Sequence, residues 1–109
     1  MGFKATITSQ IVLRNLLTNA VKYGDPKTVI EVELEVSGEE RSISVTNAGP
    51  NIPEQNLKKL FQKFVRLDAA QGTRGSELGL YNARKIVELW GGTIRVESSE
   101  NHTRFVFTL

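Results

Sequence analysis

The run Leu13-Arg14-Asn15-Leu16-Leu17-Thr18-Asn19-Ala20-Val21-Lys22-Tyr23 splits into two sides when wound at roughly 100° per residue. Leu13, Leu16, Leu17, Ala20 and Val21 share one side, with the width of a core-facing stripe. Asn15 and Asn19 stand one turn apart on the other side, and Lys22 and Tyr23 follow one turn later. Solvated helix faces are rich in Glu and Lys, whereas this one holds two neutral amides, one cation and one phenol. An amide oxygen suits a hard cation such as magnesium, and a lysine meets phosphate as a point charge. Two readings fit the stripe: asparagines that merely face water, or a site for a metal-bound phosphate with Asn19 on an exposed face.

Upstream, Phe3 to Thr8 alternates apolar and polar through Phe3, Ala5 and Ile7 and predicts a short strand, with Thr8 or Ser9 capping the helix. Gly24 stops that helix ahead of Asp25-Pro26. Downstream, Val29 to Val36 and Arg41 to Thr46 alternate as two strands joined by Ser37-Gly38-Glu39-Glu40, an antiparallel hairpin. Asn47 to Pro53 is a loop, and Pro53 is placed to open a helix. Leu57, Leu60, Phe61 and Phe64 predict that helix over Glu54–Val65. Leu67 to Ser76 holds Gly72 and Gly75 with few large apolar groups and reads as a mobile loop. Leu78, Tyr81, Ile86, Val87, Leu89 and Trp90 predict a helix over Glu77–Trp90, stopped by Gly91-Gly92. Thr93–Ser98 and Thr103–Leu109 complete a second hairpin around Glu100-Asn101. The order β-α-β-β-α-loop-α-β-β predicts an α+β fold, with helices on one face of a largely antiparallel sheet.

A chain of 109 residues predicts one domain with a single core. Fourteen basic against 12 acidic residues leave a net charge of +2, which points to neither nucleic acid nor membrane. With no cysteine, disulfides and thiolate metal sites are excluded. The one histidine, His102, falls in the second hairpin's turn, where a surface role is its default. No run of 18 apolar residues occurs, and no signal peptide is visible. The start at Met1-Gly2 and the stop soon after an apolar run give the look of a domain excised from a longer chain.

Four motifs then carry a resemblance. Asn15-Leu-Leu-Thr-Asn19-Ala-Val-Lys22-Tyr23 resembles the N box of the histidine protein kinase catalytic domain, within the GHKL ATPase superfamily. Val45-Thr-Asn-Ala-Gly49-Pro-Asn-Ile52-Pro53 resembles its first glycine box, and Phe61-Gln-Lys-Phe64-Val-Arg66 its F box. Gly75-Ser-Glu-Leu78-Gly79-Leu80 resembles the second glycine box, and Ile86 to Gly92 resembles the segment next to that box in the family. The boxes occur in order across essentially the whole chain. The F box and the Ile86–Gly92 segment favour sensor kinases over type II topoisomerases, mismatch-repair ATPases, heat-shock chaperones and anti-sigma kinases.

The resemblance implies a two-layer α/β sandwich of Bergerat type: a mixed, mostly antiparallel sheet of about five strands, three helices on one face, and ATP between the helices under a flexible lid. It implies Asn19 as the magnesium ligand, Asn15 and Lys22 as phosphate-side contacts, Tyr23 as a wall of the pocket and Arg66 as a lid-side phosphate contact. Gly75 and Gly79 would bring backbone amides and a helix N-terminus close to the triphosphate. Asn47, Gly49, Ile52, Phe64, Leu78 and Leu80 complete the implied nucleotide-binding set. The implied partners are histidine-bearing dimerisation helices of a parent protein and a response regulator, with no nucleic acid and no direct membrane contact. The implied compartment is the cytoplasm, whether or not the parent is membrane-anchored.

Three positions depart from the family pattern. The first glycine box usually opens with Asp, which accepts from the adenine amine; here Asn47 keeps an acceptor oxygen without the charge. Its amide could also turn over and pair with guanine. Asn51 replaces a glycine, and Asn is the non-glycine residue best suited to a left-handed turn. Glu77 replaces another glycine and sets a carboxylate at a helix N-terminus, where the dipole stabilises it against an incoming phosphate. Two functions therefore stand side by side. One is an ATP-magnesium module that phosphorylates a histidine on a separate helical domain, a chemistry of positioning and charge that needs no nucleophile here. The other is a degenerate kinase-like domain that docks a partner or holds a dimer.

Overall fold

The computed structural model describes residues 7–57, 59–62 and 74–109, and of residues 74–78 the backbone alone. In chain order the elements are α1 (Ile7–Tyr23), β1 (Glu31–Ser37), β2 (Glu40–Ala48), α2 (Glu54–Leu57), α3 (Arg74–Leu89), β3 (Ile94–Ser99) and β4 (His102–Thr108). The described strands form a four-stranded sheet in the order β1-β2-β4-β3, antiparallel at every pairing. The approximate five strands and the mixed character expected from the resemblance are thus a four-stranded, wholly antiparallel sheet among the described residues.

Alternation in the strands builds the core. In β2 and β4, Ile43 pairs with Phe107 and Val45 with Phe105, and in β3 Ile94 and Val96 lie across from the same two phenylalanines. Ile43, Val45, Phe105 and Phe107 are buried with Val12, Leu16 and Ala20 of α1 and with Leu80, Ala83 and Val87 of α3. Helices α1 and α3 lie side by side on this face. Edge strand β1 continues the same two rows with Leu34 and Val32, yet these remain 46% and 49% exposed. On the opposite face, Arg104 of β4 reaches Glu35 of β1 at 2.7 Å and Glu97 of β3 at 3.6 Å.

Several boundaries differ from the sequence expectation. Ile7 and Thr8, read as the end of a strand, already belong to α1; Phe3 to Thr6 lie outside the described residues. Ser9 is buried inside the helix rather than capping it, because the spacing of Ser9, Val12 and Leu16 takes the core side and tertiary packing overrides a three-residue alternation. Among the described residues of Glu54–Val65 the helix is a single turn, Glu54–Leu57; 58 and 63–65 lie outside them. Beyond it, Lys59 donates to Asn56, Leu60 to Leu57 and Gln62 to Lys59. These three-residue spacings tighten the chain and deliver Leu60 and Phe61 to the core, where Phe61 meets Phe105 edge-on at 6.0 Å. Helix α3 is already under way at Arg74, so Arg74 to Ser76, read as loop, are helical, while 67–73 lie outside the described residues.

The stops hold as read. Gly24 donates to Ala20 at 2.8 Å to close α1. At the end of α3, Gly91 has φ 79° and donates to Glu88, while Gly92 donates to Val87, a Schellman motif with glycine in the left-handed position. Both hairpins turn where expected, with Gly38 at φ 62° in the first and Glu100 and Asn101 at φ 51° and 59° in the second.

Candidate functional site

The polar stripe of α1 runs from Asn15 to Tyr23, roughly 12 Å at the helical rise. At one end Asn15 meets α3, its Nδ2 donating to the Gly79 carbonyl at 3.2 Å. Asn19 follows and is only 7% exposed. The exposed face expected for it is instead a buried position, one turn from the Asn15 bond to α3. Lys22 is exposed and Tyr23 half-buried.

At the other end the stripe meets the sheet. Above the two apolar rows, Asn47 pairs with Thr103 and Thr103 with Ser98, a polar row on the helix-facing side. Asn47 and Thr103 are buried, and the Ser98 and Thr103 hydroxyls lie 3.4 Å apart. Two glycines admit Asn47. A Cβ at Gly24 would lie 2.6 Å from the Ala20 carbonyl oxygen and 3.2 Å from the Asn47 Cβ. One at Gly49 would lie 3.1 Å from the Tyr23 carbonyl oxygen. Asp25 adds a bond to the Ala48 carbonyl at 2.8 Å, so the C-terminus of α1 is held against the C-terminus of β2.

Asn47 is oriented by this setting. Its Nδ2 donates to the Ala48 carbonyl at 3.3 Å; the reverse orientation would set two acceptor oxygens face to face. The side-chain oxygen is left as the available acceptor, with no partner among the described residues.

Other site candidates fall in varied places. Gly79 lies in the second turn of α3, past the first four amides that a helix leaves unpaired, so it contributes no free helix-end amide. Among the described residues a Cβ at Gly79 would meet nothing within 4 Å, so packing among them does not ask for glycine here and leaves open space in front of it. Gly75 is within the first turn of α3, as is Glu77. Leu80 is 3% exposed and belongs to the core. Ile52 is half-buried, and its amide donates to Ser98 Oγ at 2.9 Å. Leu78 is helical in backbone; Phe64 and Arg66 lie outside the described residues. His102 opens β4 rather than sitting in the turn, exposed, with Nδ1 3.0 Å from the Glu100 carbonyl oxygen.

No described cluster of three or more His, Asp or Glu side chains could hold a metal. The donor set fits magnesium only in company with a ligand: one amide oxygen from Asn19, phosphate oxygens and water, as this cation takes when it rides on a nucleotide. Gly24, Ser98, Thr103 and Asn101 read from the sequence as a helix stop, strand ends and a turn, and not as neighbours of the site. A glycine after a helix already reads as a stop, and the Ser98–Thr103 row emerges only from the strand register.

A family model described as histidine kinase-, DNA gyrase B-, and HSP90-like ATPase matches residues 6–109. Sensor protein VanS of Enterococcus faecium is 40% identical over 96 residues, 86% of this chain and 25% of VanS. Sensor histidine kinase WalK of Bacillus subtilis (strain 168) is 36% identical over 103 residues, 90% of this chain and 17% of WalK. In three dimensions the chain is similar to the nucleotide-free catalytic domain of histidine kinase ThkA, with a TM-score of 0.81 and 35% identity over 94% of this chain and 65% of that one. The chain thus spans a quarter or less of the length of these two curated relatives.

Proposed function

The chain belongs to the histidine kinase-, DNA gyrase B- and HSP90-like ATPase family, and on that premise we propose that it is the ATP-binding catalytic domain of a two-component sensor kinase, one domain of a longer protein. Asn47 accepts from the adenine amine, with Gly49, Ile52 and Tyr23 around the base. Asn15, Lys22, Gly75, Gly79 and the adjoining Leu78 line the way toward the phosphates, joined by Phe64 and Arg66 from the F box, while Leu80 backs them from the core. Asn19 offers its amide oxygen to magnesium, which when bound would neutralise phosphate charge. The residues orient the nucleotide and stabilise charge on the transferring group; the acceptor histidine stands on dimerisation helices of the parent, from which a response regulator receives the phosphoryl group. No described helix is long and apolar enough to cross a membrane; the cytoplasmic assignment rests on the sensor-kinase reading itself.

The observation that carries this reading is the orientation of Asn47: a buried amide at the end of the α1 stripe, donor tied to Ala48, acceptor left over. One observation favours the degenerate reading. Glu77 sits in the first turn of α3, where a negative charge is stabilised by the helix dipole and opposes a triphosphate. Calorimetric titration with a non-hydrolysable ATP analogue separates the two. The kinase reading expects binding that weakens sharply in Asn19→Ala with magnesium and little in EDTA. The degenerate reading expects weak or absent wild-type binding that Glu77→Gly improves.

A further inference from the structure

Asn51 stands where the resembled motif has glycine, and its backbone does not explain the exchange. Among the described residues only Glu100 and Asn101 are non-glycines with positive φ, so the left-handed turn expected at Asn51 is not there. Its side chain is engaged instead: Oδ1 accepts from the backbone N–H of Asn101 at 2.7 Å. The bond continues a pattern. Asn47 pairs with Thr103 and Ala48 with His102, and the next residue, Gly49, donates its N–H to the Asn101 carbonyl at 2.9 Å. The Asn51 amide then takes the Asn101 N–H, acting as a backbone carbonyl would in one further rung of the ladder. Turns with both central residues at positive φ suit tight hairpins, and here Asn101 has both of its peptide groups bonded to the 49–51 loop. Ile52 adds a third bond, from its N–H to Ser98 Oγ at 2.9 Å.

We propose that Asn51 is a positioning residue: its side chain latches the Gly49–Ile52 loop to the β3–β4 turn and thereby sets the wall beside Asn47 on which the base rests. The part concerning the base rests on the nucleotide reading above. A glycine at 51 has no side-chain acceptor to offer, so in this chain one of the three bonds that fasten the loop to the β3–β4 hairpin depends on the Asn51 side chain. The latch makes Asn51 a specific feature of this chain rather than a decayed glycine, and the two views predict opposite signs for the same substitution.

The test uses the 109-residue chain with Asn51→Gly and Asn51→Asp, the second keeping the acceptor oxygen. Amide hydrogen exchange at Gly49 and Asn101 is read alongside calorimetric affinity for a magnesium-bound, non-hydrolysable ATP analogue. The latch predicts that Asn51→Gly speeds exchange at Gly49 and lowers affinity by about fivefold, the ratio set by one net hydrogen bond, and that Asn51→Asp restores both. Unchanged Gly49 exchange in Asn51→Gly overturns the latch, as does tighter nucleotide binding in that variant. If the wild-type chain binds no nucleotide, the nucleotide reading fails, and exchange at Gly49 alone decides the latch: faster in Asn51→Gly but not in Asn51→Asp supports it, no change overturns it.

Discussion

At the scale of single residues, the proposed recognition of the base turns on Asn47. Its amide is buried and one N–H of its donor end is given to Ala48, which leaves the side-chain oxygen as an acceptor for a ligand. Asn47→Ala should lower affinity for adenine nucleotides about fivefold and abolish a preference over guanine nucleotides, as loss of one net hydrogen bond dictates. Stability should change by less than about 1 kcal/mol, because the Ala48 carbonyl retains its bond from Asp25. Competition titrations with the two bases check this; an unaltered base preference would place adenine recognition elsewhere. The sequence made the position legible through its motif, but not the orientation of the amide. That orientation depends on Gly24 and Gly49 letting α1 approach β2, a contact between residues far apart in the chain.

Among the elements, α3 carries the sharpest test. Gly79 lies inside a helix with open space before it, and glycine in a helix interior costs up to about 1 kcal/mol relative to alanine. Gly79→Ala should therefore raise stability by up to that amount in urea unfolding while weakening ATP binding, since the methyl group enters the space in front of α3. A substitution that raises both, or lowers both, would remove Gly79 from the site. The type and order of α1, α3 and both hairpins were legible because their periodicities are long. Short stretches misled. Ile7-Thr8 and the Glu54–Val65 pattern obey a local spacing that fits two structures equally, and in the second the contact of Phe61 with Phe105 accompanies the tighter turn.

For the molecule as a whole, the sheet is covered unevenly. The β2 and β4 rows lie under both helices, whereas Leu34 of β1 keeps 46% of its surface in water. Phe105→Ala should cost roughly 3–5 kcal/mol and Leu34→Ala less than about 2, judged by the cavity each can leave; equal costs in urea unfolding would show that β1 is covered in solution. Alternation alone could not reveal this difference, because Val32, Leu34 and Val36 share the pattern of Ile43 and Val45. What fills the helix face over each strand is decided by where α1 and α3 come to rest.

If one surface, from Gly79 along α1 to Asn47, holds a nucleotide, then backbone amide shifts will map it while a non-hydrolysable ATP analogue and magnesium are added. Saturable shifts are expected at Asn19, Tyr23, Asn47, Gly49 and Gly79, with the Glu31–Ser37 strand unmoved. Saturating shifts centred on that strand, or none at millimolar nucleotide, would contradict it.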